Sequence, residues 1–210
     1  MRPIRLQGHT KPLKEVKFNY DGDLLFTGSA ENIINVWEAY TGERLGSYTT
    51  KTAIKTLDVD DNSEYLICGG LDGKFQIFKV EGGEEIMLVA FSSKLKYLEF
   101  ALGDENFLTL TESYKVGEAN VVEIFDLKRF IDSKDKEVIL QGVNVNLTQS
   151  QKNLVAPLKR FLALDKSGNK KTLSRISWYI NNNGFFATTT DGYIIRYDSE
   201  GVPTAEVKAH

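Results

Sequence analysis

Cysteine and histidine are scarce in this chain of 210 residues, which has one of the first, Cys68, and two of the second, His9 and His210. A single cysteine can form neither an internal disulfide nor a cysteine-rich metal site, which fits a reducing compartment. Two histidines leave a bound metal short of ligands. No run of about 18 apolar residues occurs, so no membrane span is expected. The start, Met1-Arg2-Pro3-Ile4, lacks the apolar core of a secretory signal, and a cytoplasmic location is expected. The formal net charge of −3 gives no general attraction for nucleic-acid phosphates, so direct nucleic-acid binding is not expected. Helical periodicity is confined to a few segments. With 41% hydrophobic and 11% aromatic residues, the chain is too apolar to be disordered and long enough to bury a core.

Short runs of alternating apolar and polar residues fill most of the length. Lys14 to Phe18 puts Val16 and Phe18 on one face; Asp23 to Thr27 and Ile33 to Trp37 follow, around turn residues such as Asp21-Gly22. The same order returns as Ile54 to Val59, Tyr65 to Cys68 and Phe75 to Phe78, with Asp72-Gly73 between the last two. It returns again as Leu173 to Trp178, Phe185 to Thr188 and Tyr193 to Tyr197, with turns at Asn181-Asn182-Asn183-Gly184 and Asp191-Gly192. The pattern predicts antiparallel meanders.

An aromatic closes the third strand of each unit: Trp37, Phe78, Phe125 and Tyr197. The intervals are 41, 47 and 72 residues, and the first lies within the range of about 40–45 for one propeller blade. Insertions at Glu112 to Asn120 and at about Gln141 to Lys171 account for the longer intervals. Six residues before the aromatic stands an acid in three of the four units, Glu31, Asp72 and Asp191. Such acids accept hydrogen bonds across the turn between second and third strands, and nothing pairs them as acid–base catalysis requires.

Gly8-His9 at the head of the first unit and Trp37-Glu38 at its tail, with Phe125-Asp126 as a variant tail, resemble the punctuation of WD40 repeats. The resemblance implies an all-β WD40 β-propeller with about four blades, from repeats at 4–45, 46–86, 87–130 and 137–207. It also implies a buried hydrogen-bonded set of His9, Thr27 or Ser29, Glu31 and Trp37. The other units lack the Gly-His head; Thr50-Lys51-Thr52 stands there in the second. The run from Met1-Arg2-Pro3-Ile4 through Gly22 to Thr27, Asn35-Val36-Trp37 and Gly42-Glu43-Arg44-Leu45-Gly46-Ser47-Tyr48 is more specific. It resembles subunit i of eukaryotic translation initiation factor three, a seven-bladed propeller family, densely over 1–48 and by blade order thereafter. This implies a non-catalytic scaffold in assembly of the 43S pre-initiation complex and mRNA recruitment, without cofactor or metal. The implied partners are factor subunits b and g, with the small ribosomal subunit bound indirectly. The alternative is a WD40 adaptor outside translation. A propeller hydrolase or lyase would need acids, histidines or metal ligands clustered at the axial channel.

Four repeats where the family has seven imply exposed apolar edges. A longer protein, a split ring completed by a partner, and a closed ring of about four blades remain open at this point. In the second insertion Leu154, Leu158, Phe161 and Leu162 have amphipathic spacing, and Pro157 suits a first turn. A helix from about 157 to 164 is expected, with Lys159 and Arg160 outward. It would be a lid on blade four or a docking element for a neighbouring subunit. Gly69 to Lys74 has the wrong spacing for a phosphate loop. Cys68 reads as packing, and Lys128-Arg129 and Lys134 to Lys136, interleaved with acids, as a solvated loop. Asn146-Leu147-Thr148 matches a glycosylation acceptor but is expected to stay unmodified.

Overall fold

Alternation of apolar and polar residues becomes four twisted antiparallel sheets in the computed structural model, which describes residues 4–103, 105–112, 117–140, 147–179 and 183–209. The start Met1-Arg2-Pro3, part of each insertion, Asn146, the turn residues Asn181-Asn182 and His210 lie outside the described residues. Blade 1 comprises β1 (Leu13–Phe18), β2 (Leu24–Ser29), β3 (Ile33–Glu38) and β4 (Arg44–Thr49) in sequential order. Blade 2 follows with β5 (Thr56–Val59), β6 (Tyr65–Gly69), β7 (Lys74–Lys79) and β8 (Glu85–Ala90). Blade 3 begins with β9 (Lys94–Phe100), β10 (Asn106–Glu112) and β11 (Val121–Asp126). A detour then runs through α1 (Leu127–Ile131), β12 (Glu137–Ile139), α2 (Gln149–Leu154) and β13 (Lys159–Leu162). Blade 4 is β14 (Leu173–Trp178), β15 (Gly184–Thr189), β16 (Tyr193–Asp198) and β17 (Pro203–Lys208).

The turns have the backbone that their residues favour. Gly73 and Gly192 close the hairpins after Asp72 and Asp191 at φ of +83° and +86°, the left-handed region that glycine enters without steric cost. Successive sheets stack face to face, and apolar residues fill each gap. Phe26 and Ile34 meet Leu57, Leu66 and Phe78 between blades 1 and 2. Phe75 and Ile77 meet Phe100, Phe107 and Phe125 between blades 2 and 3. Leu108 and Ile124 meet Ile176, Phe185 and Tyr197 between blades 3 and 4. Among the described residues there are thus three interblade cores for four blades.

The second insertion differs from its sequence reading. Residues 157–164 form no helix; Lys159–Leu162 is a strand, antiparallel to β11, with Lys159 opposite Ile124 and Leu162 opposite Val121. The Leu158 N–H donates to the Ile124 carbonyl at 2.7 Å. The i, i+4, i+7 spacing is overridden because this segment completes blade 3, satisfying backbone groups along β11 that would otherwise be an open edge. The helical turn lies earlier, in α2, where Thr148 and Gln151 form a reciprocal capping box. Of the second insertion, Leu154 packs between blades 2 and 3, whereas Phe161 packs on Phe185 of blade 4. β12 pairs in parallel with β8 as a fifth strand of blade 2. Phe130, Val138 and Leu154 pack into the core between blades 2 and 3.

Candidate functional site

The tetrad implied by resemblance spans the two middle strands of blade 1, β2 and β3, the turn between them and the segment that precedes β1. The Trp37 indole N–H donates to Thr27 Oγ1 at 2.8 Å. His9 Nε2 lies 2.8 Å from the same hydroxyl and 3.2 Å from Asn35 Nδ2, while His9 Nδ1 meets Glu31 Oε1 at 2.5 Å. His9 Nε2 also lies 3.1 Å from the Thr27 carbonyl oxygen. The hydroxyl is therefore that of Thr27; Ser29 Oγ instead accepts the Glu31 N–H at 3.2 Å. Gly8 is required beside the indole, because a Cβ there would stand 2.6 Å from Trp37. Hydrogen bonds from the Thr10 hydroxyl and from its backbone N–H (3.0 Å), together with His9, hold the Glu31 carboxyl down at about 2.

The other turn acids occupy equivalent places with different partners. Thr52 Oγ1 donates to Asp72 at 2.5 Å, and Lys171 Nζ donates to Asp191 at 2.9 Å. Each acid therefore reaches back to the segment entering its blade's first strand as well as bridging its own hairpin, where the Lys74 N–H donates to Asp72 at 3.3 Å. Where Trp37 is replaced by Phe78 or Tyr197, Thr27 is replaced by Cys68 or Ala187, so no hydroxyl is stranded. Burial pushes the Cys68 thiol up, and it lies fully inside the core. The Tyr197 hydroxyl donates to the Leu164 carbonyl at 2.7 Å. In blade 3, Phe125 sits among rings, and Asp126 caps α1, accepting the Lys128 N–H at 2.9 Å. The four docking candidates separate: Leu154 is buried, Phe161 packs on Phe185 at 6.0 Å, and Leu158 and Leu162 are exposed.

A second constellation escaped the sequence reading. Lys17, Asp58, Glu99 and Ser177 hold equivalent positions on the innermost strands β1, β5, β9 and β14, opposite Phe26, Ile67, Leu108 and Phe186. Neighbouring blades join at this level. Lys17 Nζ pairs with Asp58 at 3.1 Å, and Ser177 Oγ donates to Glu99 Oε1 at 3.1 Å. Burial, then the Asp58 charge, lifts the Glu99 carboxyl to about 7. Its second oxygen is buried without a partner. At a second level Arg175 lies over the Tyr97 ring at 4.7 Å, donates to its hydroxyl at 3.1 Å and meets Glu15 at 3.4 Å. The signal was the recurrence of charged or hydroxyl residues at one register position per repeat. The cluster brings together acids that the sequence shows only as scattered, but it is an ion-pair network. Among the described residues no three of His, Cys, Asp and Glu are grouped to hold a metal, and no helix is long and apolar enough to cross a membrane.

The WD domain, G-beta repeat family model matches residues 2–38 and 42–79. The chain is 32% identical over 200 residues to eukaryotic translation initiation factor 3 subunit I of Schizosaccharomyces pombe, covering 95% of this chain and 54% of that protein. The protein of the same name from Dictyostelium discoideum is 28% identical over 217 residues, covering 95% and 65%. That from Neurospora crassa is 36% identical over 138 residues, covering 65% and 40%. The chain thus spans about half the length of the curated relatives it matches. The fold resembles the crystal structure of the Cps50 (Swd1) β-propeller domain of Myceliophthora thermophila, with a TM-score of 0.65, 14% identity and coverage of 99% of this chain and 59% of that one.

Proposed function

Because the chain is a WD40-repeat protein similar along 95% of its length to eukaryotic translation initiation factor 3 subunit I, we propose that it is a non-catalytic scaffold subunit of that factor in the cytoplasm. The similarity along nearly the whole chain is the observation that carries this reading. Stacked sheets joined by three interblade cores offer a rigid surface, and loops on a rigid scaffold suit docking of extended or helical segments from other subunits. The partners proposed from the resemblance are factor subunits b and g, with the small ribosomal subunit engaged through them. A place in 43S pre-initiation complex assembly and mRNA recruitment follows from that membership. The net charge of −3 supports protein contacts over contacts with RNA phosphates.

Of the docking candidates, Leu158 and Leu162 are proposed to carry the contact, being 44% and 54% exposed. Affinity capture of the tagged chain from cytosol tests membership. Recovery of initiation-factor subunits is expected; their absence sinks the reading, and a different stable complex would favour an adaptor outside translation. Leu158→Asp with Leu162→Asp is expected to leave the fold intact and lower recovery of the partner.

A further inference from the structure

The grooves on either side of blade 2 have matching walls and different contents. Trp37 and Phe78 hold the same place in their blades, and strand register puts Val36 and Gly46 of blade 1 where Ile77 and Met87 stand in blade 2. Ile77 and Met87 are fully buried between blades 2 and 3, packed with Phe130, Val138 and Leu154 of the detour. Between blades 1 and 2 a cavity of about 360 Å³ remains instead. Leu24, Val36, Gly46 and Tyr48 line one side of it, and Val80 and Gly82, from the turn between β7 and β8, line the other. Both walls belong to complete blades.

The strand edges beside these grooves differ in the same way. β12 covers β8: the Leu88 N–H donates to the Lys136 carbonyl at 2.9 Å, and the Leu140 N–H to the Ala90 carbonyl at 2.8 Å. β4 is the last strand of its sheet and pairs with β3 alone. Ser47 and Thr49 stand where Leu88 and Ala90 do, so the Ser47 N–H and the Thr49 carbonyl point away from β3. The last strand of blade 4 is guarded against further pairing by Pro203, Glu206 and Lys208. β4 has only Arg44, at its start, and its Leu45 is 55% exposed. Just before β12, Lys136 faces Glu84 at 3.9 Å. The exposed Glu43 is the counterpart of Glu84, since the Glu38 N–H donates to the Glu43 carbonyl as the Lys79 N–H does to that of Glu84.

We propose that the groove between blades 1 and 2 docks an extended segment of a partner protein, which adds in parallel to β4 as a fifth strand of blade 1. The chemistry of that segment follows from what fills the equivalent groove. A branched apolar residue lies opposite Tyr48, as Val138 lies opposite Val89. A basic residue two positions earlier faces Glu43, and a large apolar side chain takes the space that Phe130 fills between blades 2 and 3. Backbone bonds along the edge supply affinity, and the cavity supplies selectivity. Gly46 leaves room for the guest where Met87 already fills the groove beyond blade 2. The site does not depend on which complex the partner belongs to.

Fluorescence anisotropy of a labelled peptide with the sequence of residues 129–140, titrated with the 210-residue chain, tests this. Saturable binding with a dissociation constant below about 1 mM is expected, and the same peptide carrying Val138→Asp should not bind. Hydrogen exchange at the Ser47 amide should slow when the peptide is bound. Gly46→Met fills the cavity from a position whose Cβ would have nothing among the described residues within 4 Å, and Ser47→Pro removes the edge N–H. Each should weaken binding at least about tenfold with an unchanged circular dichroism spectrum; if Ser47→Pro unfolds the chain, Gly46→Met decides alone. No saturable binding below about 1 mM, binding indifferent to Gly46→Met, or unaltered exchange at Ser47 would each overturn the proposal.

Discussion

In blade 1 the aromatic of the third strand is Trp37, whose indole N–H begins a chain of hydrogen bonds through Thr27 and His9 to Glu31. In blade 3 the same position is Phe125, which stacks on Phe107 at 5.4 Å and meets Phe130 edge-on at 5.9 Å. One blade is joined by directional polar contacts, each of which strands its neighbour if removed. The other is joined by ring area, where contacts are many and individually weak. The polar set ties Gly8-His9 to the hairpin of a sheet whose outer face is open. The rings sit between blades 2 and 3, where burial is complete. Directional bonding thus appears where apolar area is short, and area where it is plentiful.

The largest test of this contrast is Phe107→Ala. Phe107 is fully buried against Phe75, Phe100, Phe125 and Phe130, so the change should cost about 3–5 kcal/mol, read as a fall in the urea midpoint. Next is Thr27→Val, which leaves the Trp37 N–H and His9 Nε2 without their shared hydroxyl and should cost about 1–3 kcal/mol. Adding Trp37→Phe removes one stranded donor, so the double variant should cost less than the sum of the singles, with a coupling of at least about 0.5 kcal/mol. Additive costs would show that the tetrad is not a unit.

The third test separates two carboxyls by pH. Glu31 is held at about 2, below its ordinary 4.5. Its contribution is present above 4.5 and is lost as pH falls from 4.5 toward 2. Glu99 lies at about 7, above its ordinary 4.5, so the fold gains stability as pH falls from 7 toward 4.5. Urea midpoints measured across pH should therefore lose their acid-side fall in Glu31→Gln and their near-neutral slope in Glu99→Gln. Exchange of the two effects would contradict both assignments. The smallest effect belongs to Lys159→Ala, which removes an exposed ion pair with Glu200 and should cost about 0.2–1 kcal/mol, less at high salt.

Strand order, hairpin turns and the closing aromatics were legible in the sequence because local alternation and Asp-Gly turns determine them. The tetrad was legible because Gly8, His9 and Trp37 keep family spacing, although only the structure separates Thr27 from Ser29, two residues apart on one strand. The detour was misread because Leu154, Leu158, Phe161 and Leu162 satisfy a helical period while the partners that decide their state, β11 and β8, lie far away in sequence. The channel cluster was hidden for a related reason. Lys17, Asp58, Glu99 and Ser177 are polar residues within ordinary alternating strands, and only stacking of the blades aims them at one another.

That detour also sets an order of events in time. The chain emerges from a ribosome N-terminus first, and blade 1 has all four strands once Thr49 is made. Blade 2 receives its fifth strand only when Glu137 to Ile139 appears, well after β8 ends at Ala90. At about 5–20 residues per second this is a wait of roughly 2–10 s. Blade 3 in turn holds its edge open from the end of β11 at Asp126 until Lys159 to Leu162 returns to it. Blades 2 and 3 therefore finish as a linked pair, and during that interval the nascent chain carries its most exposed strand edges.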